Sequence, residues 1–231
     1  MTDVEVLYED NHLIAVNKRS GDITQGDKTG DEPLPEKVKR WIKHKYNKPG
    51  NVFCGVIHRL DRPTSGLVML AKTSKGLSRM NELFQQKEIQ KTYWAIVETP
   101  PVNEIGSLEN YLKKNERNNK SSVVKKGTDG SKHAILDYKV LAKSDRYTLL
   151  EVDPKTGRHH QIRTQLAHIG CVIKGDLKYG AKRSNKDGSI SLHARAIEFI
   201  HPVKKEKVAI TAPAPEDKLW KWFERSLSTT S

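Results

Sequence analysis

Val4-Glu5-Val6-Leu7-Tyr8, Glu9-Asp10-Asn11-His12, Leu13-Ile14-Ala15-Val16: two short runs of branched, aromatic and apolar residues flank a polar turn. That pattern predicts two paired strands. The same signal returns at Gly66-Leu67-Val68-Met69-Leu70-Ala71, at Thr92-Tyr93-Trp94-Ala95-Ile96-Val97 and at Ala134 to Val140. It returns again at Tyr147 to Val152, Ser191 to Ile200 and Val208 to Thr211. Helical spacing intervenes in only a few places. Leu34 to Tyr46 places Leu34, Val38, Trp41 and Ile42 on one face; Lys75 to Gln86 turns Leu77, Met80, Leu83 and Phe84 inward behind a cap at Thr73 or Ser74. A third helix is expected from about His160 to His168, with Ile162, Leu166 and Ile169 facing the core and Gly170 ending it; Leu219 to Phe223 suggests a short closing helix. Strands that follow strands argue for an α+β fold, a largely antiparallel mixed sheet with flanking helices. No repeat and no linker separates two cores, so residues 1–231 are expected to form one domain.

Charge narrows the function. Lys and Arg number 41 against 28 Asp and Glu, a formal net charge of +13. Such an excess draws polyanions through counterion release, which makes nucleic acid the first partner to consider. Part of it is concentrated between Leu112 and Lys132, where Lys113, Lys114, Arg117, Lys120, Lys125, Lys126 and Lys132 face only Glu116 and Asp129. A solvated, mobile hairpin or loop and an RNA-contacting arm are equally good readings of it. No apolar run approaches the length needed to span a bilayer, and the acidic start Met1 to Glu5 lacks the form of a secretory signal. The expectation is a cytoplasmic protein without membrane contact or obligatory protein partner, a monomer by default. Cys54 and Cys171 form no C-x-x-C pair and read as buried free thiols.

Two polar clusters interrupt this scaffold. In His58-Arg59-Leu60-Asp61-Arg62-Pro63-Thr64-Ser65-Gly66, Pro63 and Gly66 mark a loop at a strand end, where folds commonly present reactive groups. Asp61 stands between Arg59 and Arg62, and neighbouring guanidinium groups favour its ionised form. It therefore suits nucleophilic or electrostatic work; capping a turn or bridging a surface arginine is the plainer alternative. The second cluster, Pro154-Lys155-Thr156-Gly157-Arg158-His159-His160-Gln161-Ile162-Arg163, enters the third helix. Its basic approach and the free N–H groups of a first turn suit a phosphate. An ordinary amphipathic helix with a basic entry is the alternative.

Taken together the clusters resemble the RluA family of RNA pseudouridine synthases. The residues that carry the resemblance are His58-Arg59-Leu60-Asp61-x-x-Thr64-Ser65-Gly66-Leu67 and Thr156-Gly157-Arg158-x-His160-Gln161-Ile162-Arg163. Lys91 to Ala95 lies between them, and Leu166-Ala167, Gly170, Gly175-Asp176, Tyr179-Gly180 and Leu192-His193-Ala194 follow. The opening from Tyr8 to Lys18 fits as well, so the likeness runs from about Val6 to Pro202. It implies the pseudouridine synthase fold with a central active-site cleft. It also implies isomerisation of uridine in ribosomal or transfer RNA without cofactor or metal, after the nucleotide is flipped out. Asp61 matches the catalytic aspartate, Tyr93 the tyrosine that stacks on the base, and Arg163 the arginine that pairs with the aspartate. Arg59 matches a residue that fills the space the base leaves, while Ile162 and Leu192 line the pocket. His58, Thr64, Arg158, His160 and Gln161 complete the expected substrate-binding set. The chain departs from the pattern at Gln165, where histidine is common, and at Arg19, where proline is common. No S4 domain is expected before Val6.

Rival functions lack their residues. A nuclease wants paired metal-binding carboxylates or a histidine acid–base pair, and Asp61 has no acid near it in sequence, though Asp176 could approach it in space. The zinc deaminase pattern is missing, and His58, His159, His160, His168 and His193 make no convincing metal set with the two cysteines. A non-catalytic RNA-binding or ribosome-associated protein that keeps the fold is the alternative from another class. It has no need of Asp61, Tyr93 and Arg163 together.

Overall fold

The computed structural model describes residues 4–27 and 29–229. Along the chain the elements are β1 (Glu5–Glu9), β2 (Leu13–Lys18), α1 (Leu34–Lys45), β3 (Gly55–Val56), β4 (Ser65–Ala71), α2 (Ser74–Gln86) and β5 (Gln90–Val97). There follow β6 (Ile105–Asn115), β7 (Lys120–Val124), β8 (Lys132–Lys143), β9 (Thr148–Pro154), α3 (Gln161–His168), β10 (Leu192–Ile200), β11 (Lys207–Thr211) and α4 (Lys218–Thr229). A 3-10 turn, Leu177–Tyr179, lies between α3 and β10. The α+β class expected from the sequence is what the chain adopts, and α3 and α2 fall within a residue of their predicted bounds.

These elements form two compact units, each assembled from two stretches of chain. The first takes the described residues up to Lys91 together with Ala194–Pro213; the second takes Thr92–His193 and the described residues from Ala214 onward. Neither is contiguous, which is why no linker betrays a boundary in the sequence.

In the first unit the strands run in the order β1-β2-β4-β10, with β3 on β4 and β11 on β10. β2 and β4 pair antiparallel from Leu13–Ala71 to Lys18–Gly66. Leu13 to Val16 and Val68 to Ala71 are wholly buried. Strands covered on both faces need unbroken apolar runs rather than alternation, as these sequences have. α2 closes one face: Thr73 caps it by accepting the Gly76 N–H at 3.0 Å, and buried Met80 packs with Leu13, Met69, Ile197 and Phe199. Truncating Met80 to alanine should cost about 2–5 kcal/mol.

The second unit orders its strands β5-β9-β8-β6-β7. The basic segment is a regular hairpin here: β6 and β7 pair antiparallel from Tyr111–Val124 to Asn115–Lys120. Its alternation is weak because β7 closes that end of the strand order, and lysines suit an edge. Apolar residues from β5, β8, β9 and α3, with Cys171 and Ile173, form the core. Buried Trp220 and Phe223 on α4 pack against Trp94, Ile96 and Leu149. Ile169 corrects the sequence reading. It follows the last turn of α3 and is 39% exposed, because the chain leaves the helix axis there and reverses at Gly170 (φ +82°). Both cysteines are free thiols; Cys171 is buried and Cys54 partly so. Among the described residues no helix is long and apolar enough to cross a membrane.

Candidate active site

The residues singled out in sequence divide between the units. His58, Arg59, Asp61 and Thr64 lie on the loop before β4 in the first; Tyr93, Arg158, His160, Gln161, Ile162, Arg163 and Leu192 lie in the second.

The loop is held by its own carbonyl groups. Lys18, at the end of β2, is 1% exposed. Its ammonium donates to the carbonyl oxygens of Arg19 (2.9 Å), Arg62 (3.1 Å) and Thr64 (2.7 Å). The Gly21 N–H reaches Arg62 O at 2.9 Å, the Ser20 hydroxyl reaches Pro63 O at 3.2 Å, and the Thr24 hydroxyl reaches Leu60 O at 3.4 Å. Inside the loop the Thr64 N–H closes a turn on Asp61 O at 3.0 Å. Burial pulls the Lys18 ammonium down to about 8, against the opposing charges of Asp22 and Asp61. Gly66 makes the sharp exit into β4 possible. It sits at φ +110°, and a β-carbon there would lie 2.4 Å from Ala194 O. Gly66 and Ala194, from two separate pieces of the sequence signature, therefore meet through backbone.

The loop's side chains depart from the sequence expectation in part. Arg59 donates to Gln25 Oε1 at 2.8 Å, and Arg62 reaches Asp31 and Thr29. The guanidinium groups of Arg59 and Arg62 thus have partners of their own, and Asp61 is among the charges that act on buried Lys18. His58 accepts the Met69 N–H at Nε2 (3.0 Å) and packs against Phe84 with ring centroids 5.3 Å apart. Burial, helped by the charge of Lys91, lowers its pKa to about 3, so it stays neutral and braces β4. Thr64 is 2% exposed and its hydroxyl is enclosed without a hydrogen-bond partner among the described residues.

The second cluster is held by side chains. Gln161, 4% exposed, accepts the Thr156 hydroxyl (2.7 Å) and the Arg158 N–H (3.0 Å) at Oε1, and donates to Ile135 O (2.9 Å). Thr156 in turn accepts the Ile135 N–H at 3.0 Å, and Arg158 Nε donates to His133 O at 2.8 Å. The entry to α3 is thereby sewn onto β8. His160 precedes the helix in the left-handed region (φ +52°), stacked on His159 at 3.8 Å between centroids. Burial and then the charge of Arg163 depress its pKa to about 2. Arg163, 5% exposed, grips Asp176, 1% exposed, through Nε (2.7 Å) and Nη2 (2.8 Å). A two-point, charge-assisted bond of this kind holds a guanidinium by its edge. Gln165, one of the departures noted above, is wholly buried; its amide nitrogen reaches Leu108 O and Asn110 Oδ1, both at 2.9 Å. Tyr93, half-buried on β5 opposite Val152, shares one apolar cluster with Ile162 and Leu192. Tyr93, expected to stack on the base, thus lies in the same apolar cluster as Ile162 and Leu192.

Sequence reasoning assigned no role to Lys18 or Tyr179 and weighed Asp176 only as a second acid for a nuclease, whereas its carboxylate is paired with Arg163. None of the three showed its pairing in the sequence, because their partners are distant in the chain. Among the described residues no group of three or more His, Cys, Asp or Glu could hold a metal ion.

The first unit thus holds a carboxylate-bearing loop on an enclosed cation, and the second fixes an arginine at a helix entry. Residues 12–168 match the RNA pseudouridylate synthase family, and the chain belongs to it, in its RluA-type branch. It is 33% identical to the tRNA pseudouridine synthase C of Vibrio vulnificus over 241 residues, 96% of this chain and 95% of that one. With the ribosomal large subunit pseudouridine synthase C of Buchnera aphidicola subsp. Baizongia pistaciae it shares 34% over 215 residues. That match takes in 90% of this chain but 66% of the relative's length. The fold is shared with human RNA Pseudouridylate Synthase Domain Containing 4 (TM-score 0.78, 22% identity, 97% of this chain and 93% of that one). It is shared also with human RNA Pseudouridylate Synthase Domain Containing 1 (TM-score 0.70, 20% identity, 98% and 95%).

Proposed function

We propose that this chain converts specific uridines in ribosomal or transfer RNA to pseudouridine, with Asp61 as the catalytic carboxylate. The reaction is an isomerisation: the bond from C1′ to N1 breaks, a bond from C1′ to C5 forms, N1 gains a proton and C5 loses one. Asp61 acts once the nucleotide has left its stack, since a stacked uridine hides the reacting atoms. Tyr93 stacks on the base, Ile162 and Leu192 line its pocket, and Arg163 pairs with the carboxylate, as the signature implies. Arg59 fills the space the base vacates. The enzyme works as a cytoplasmic monomer without cofactor or metal.

The observation that carries the reading is the grip on the Asp61 loop. A buried ammonium, two hydroxyls and a backbone N–H all spend themselves on its carbonyls. Pre-organisation of that kind is what a positioned catalytic group needs. The β6–β7 hairpin adds RNA affinity through Lys113, Lys114 and Lys120.

Tritium release from RNA labelled at uridine C5 tests the assignment. Wild type should release it, while Asp61→Asn should lose at least about a thousandfold in rate and keep its RNA affinity. Full activity in the variant removes Asp61 from the mechanism. RNA binding without release from either protein favours the non-catalytic binder. Neutralising the three hairpin lysines should flatten the salt dependence of binding; an unchanged slope returns the hairpin to a solvated edge.

A further inference from the structure

Three pieces of the second unit converge on Tyr179, to which the reading above gives no task. The residue is 8% exposed and ends the 3-10 turn that begins after Asp176. Its oxygen lies 2.9 Å from the Ser121 N–H on β7, 3.0 Å from His160 Nδ1 and 3.2 Å from the Thr164 hydroxyl on α3. These contacts can all be satisfied at once. The Thr164 hydroxyl gives its own proton to His160 O at 2.9 Å and accepts the phenolic proton, while the Tyr179 oxygen accepts from the Ser121 N–H and from Nδ1–H of a neutral His160. Burial raises the Tyr179 hydroxyl above its ordinary range and holds His160 neutral, so neutral pH leaves the pattern intact.

The ring is engaged as closely as the hydroxyl. The Arg163 guanidinium carbon stands 5.0 Å from its centroid, and Lys120 Nζ, from the basic hairpin, stands 5.0 Å from it as well. Asp176 and Tyr179 sit on one turn, joined by the Tyr179 N–H to Asp176 O bond at 3.0 Å. One takes the edge of the Arg163 fork through two hydrogen bonds, and the other takes its face. An edge contact alone leaves the plane free to rock about the carboxylate, and an aromatic face removes that freedom. We infer that Tyr179 is a positioning residue for Arg163, its ring setting the guanidinium plane and its hydroxyl tying that plane to β7 and the entry of α3. The inference rests on the assignment of Arg163 to the catalytic set.

Tyr179→Phe keeps the ring and removes the hydroxyl; Tyr179→Leu removes both. Tritium release in single turnover at saturating RNA should fall about threefold to tenfold in the first and about a hundredfold in the second, with RNA affinity within about twofold of wild type. A second readout is hydrogen exchange at Arg163 Nε–H, identified by NMR as the signal lost in Arg163→Lys. It should quicken at least about tenfold in Tyr179→Leu. Wild-type turnover by the folded fraction of both variants reduces Tyr179 to packing and overturns the inference. So does unchanged exchange in Tyr179→Leu. Absence of release from wild type is a different failure: it removes the proposed reaction, and the exchange measurement then decides on its own whether Tyr179 positions Arg163.

Discussion

The loop of residues 58–66 and the helix entry of residues 156–163 look alike as sequence: short, basic, and set between apolar elements. Their architecture is opposite. From Leu60 to Thr64 the loop is held from outside, through Leu60, Arg62, Pro63 and Thr64 carbonyls that accept from Lys18, Ser20, Gly21 and Thr24, while His58 before them braces β4 with its ring. The helix entry is held from inside, by Thr156, Gln161 and Arg163 side chains that fix themselves to Ile135 and Asp176. Bonds to a carbonyl ask nothing of the side chain on the same residue, so the first arrangement can present a reactive group without using it as a brace. In the second, each polar residue that serves the site also holds the fold, and changing it does two things at once.

The contrast is sharpest at Asp176. Removing one partner of a buried pair strands the other charge, so Asp176→Asn should lose about 3–5 kcal/mol in urea unfolding. A loss below about 1 kcal/mol would mean that Arg163 is held chiefly by other contacts and that the two regions differ less than their bonding suggests.

Acid should strike next, and at both places. His58 and His160 have folded pKa values below the ordinary 6.5, so each stays unprotonated while the unfolded chain binds a proton. The stability they contribute is complete above pH 6.5 and is lost as pH falls through the window down to about 3 and about 2. For buried His160 the loss is about 1.4 kcal/mol per pH unit within that window. His160→Asn, whose side chain tolerates the left-handed backbone, should flatten the acid limb of a stability-versus-pH curve. An unaltered limb removes His160 as its cause.

Lys18→Met should have the smallest effect, about 1–3 kcal/mol at pH 7, through the loss of the ammonium from three carbonyls, of which Arg62 O keeps the Gly21 N–H and Arg19 O the Asp22 N–H. The sign with pH is distinctive. The folded pKa of about 8 lies below the unfolded 10.5, so the charged form is penalised in the fold and wild type gains stability as pH rises from about 8 towards 10.5. The methionine variant should lack that rise. Denaturation at pH 7, 9 and 10 measures both, and a variant as stable as wild type at every pH would show that the loop does not depend on the grip.

Much of this was legible beforehand. The branched and apolar runs at 13–16 and 66–71, the cap at Thr73 and the 3.6-residue spacing of α1 and α2 are local signals, and the structure follows them. Asp61, Tyr93 and Arg163 stood out as residue types within ordered motifs. Ile169 misled because periodicity alone does not say where a helix axis ends. Arg59 and Arg62 misled because adjacency in sequence does not say where a long side chain points. The division into two units left no mark, since each is built from two separated stretches.

Strand and helix preferences depend on a residue and its neighbours within a few positions, so the sequence by itself determined the α+β class, the antiparallel runs, the family and the two polar clusters. What the buried groups pair with depends on distant segments arriving together. That Lys18 holds the Asp61 loop, that Gly66 must pass within reach of Ala194, that Asp176 takes the edge of Arg163, and that Tyr179 meets its face were decided only by the tertiary structure. Enclosed charges and hydroxyls have no water to turn to, and packing alone brings them the partners they must have.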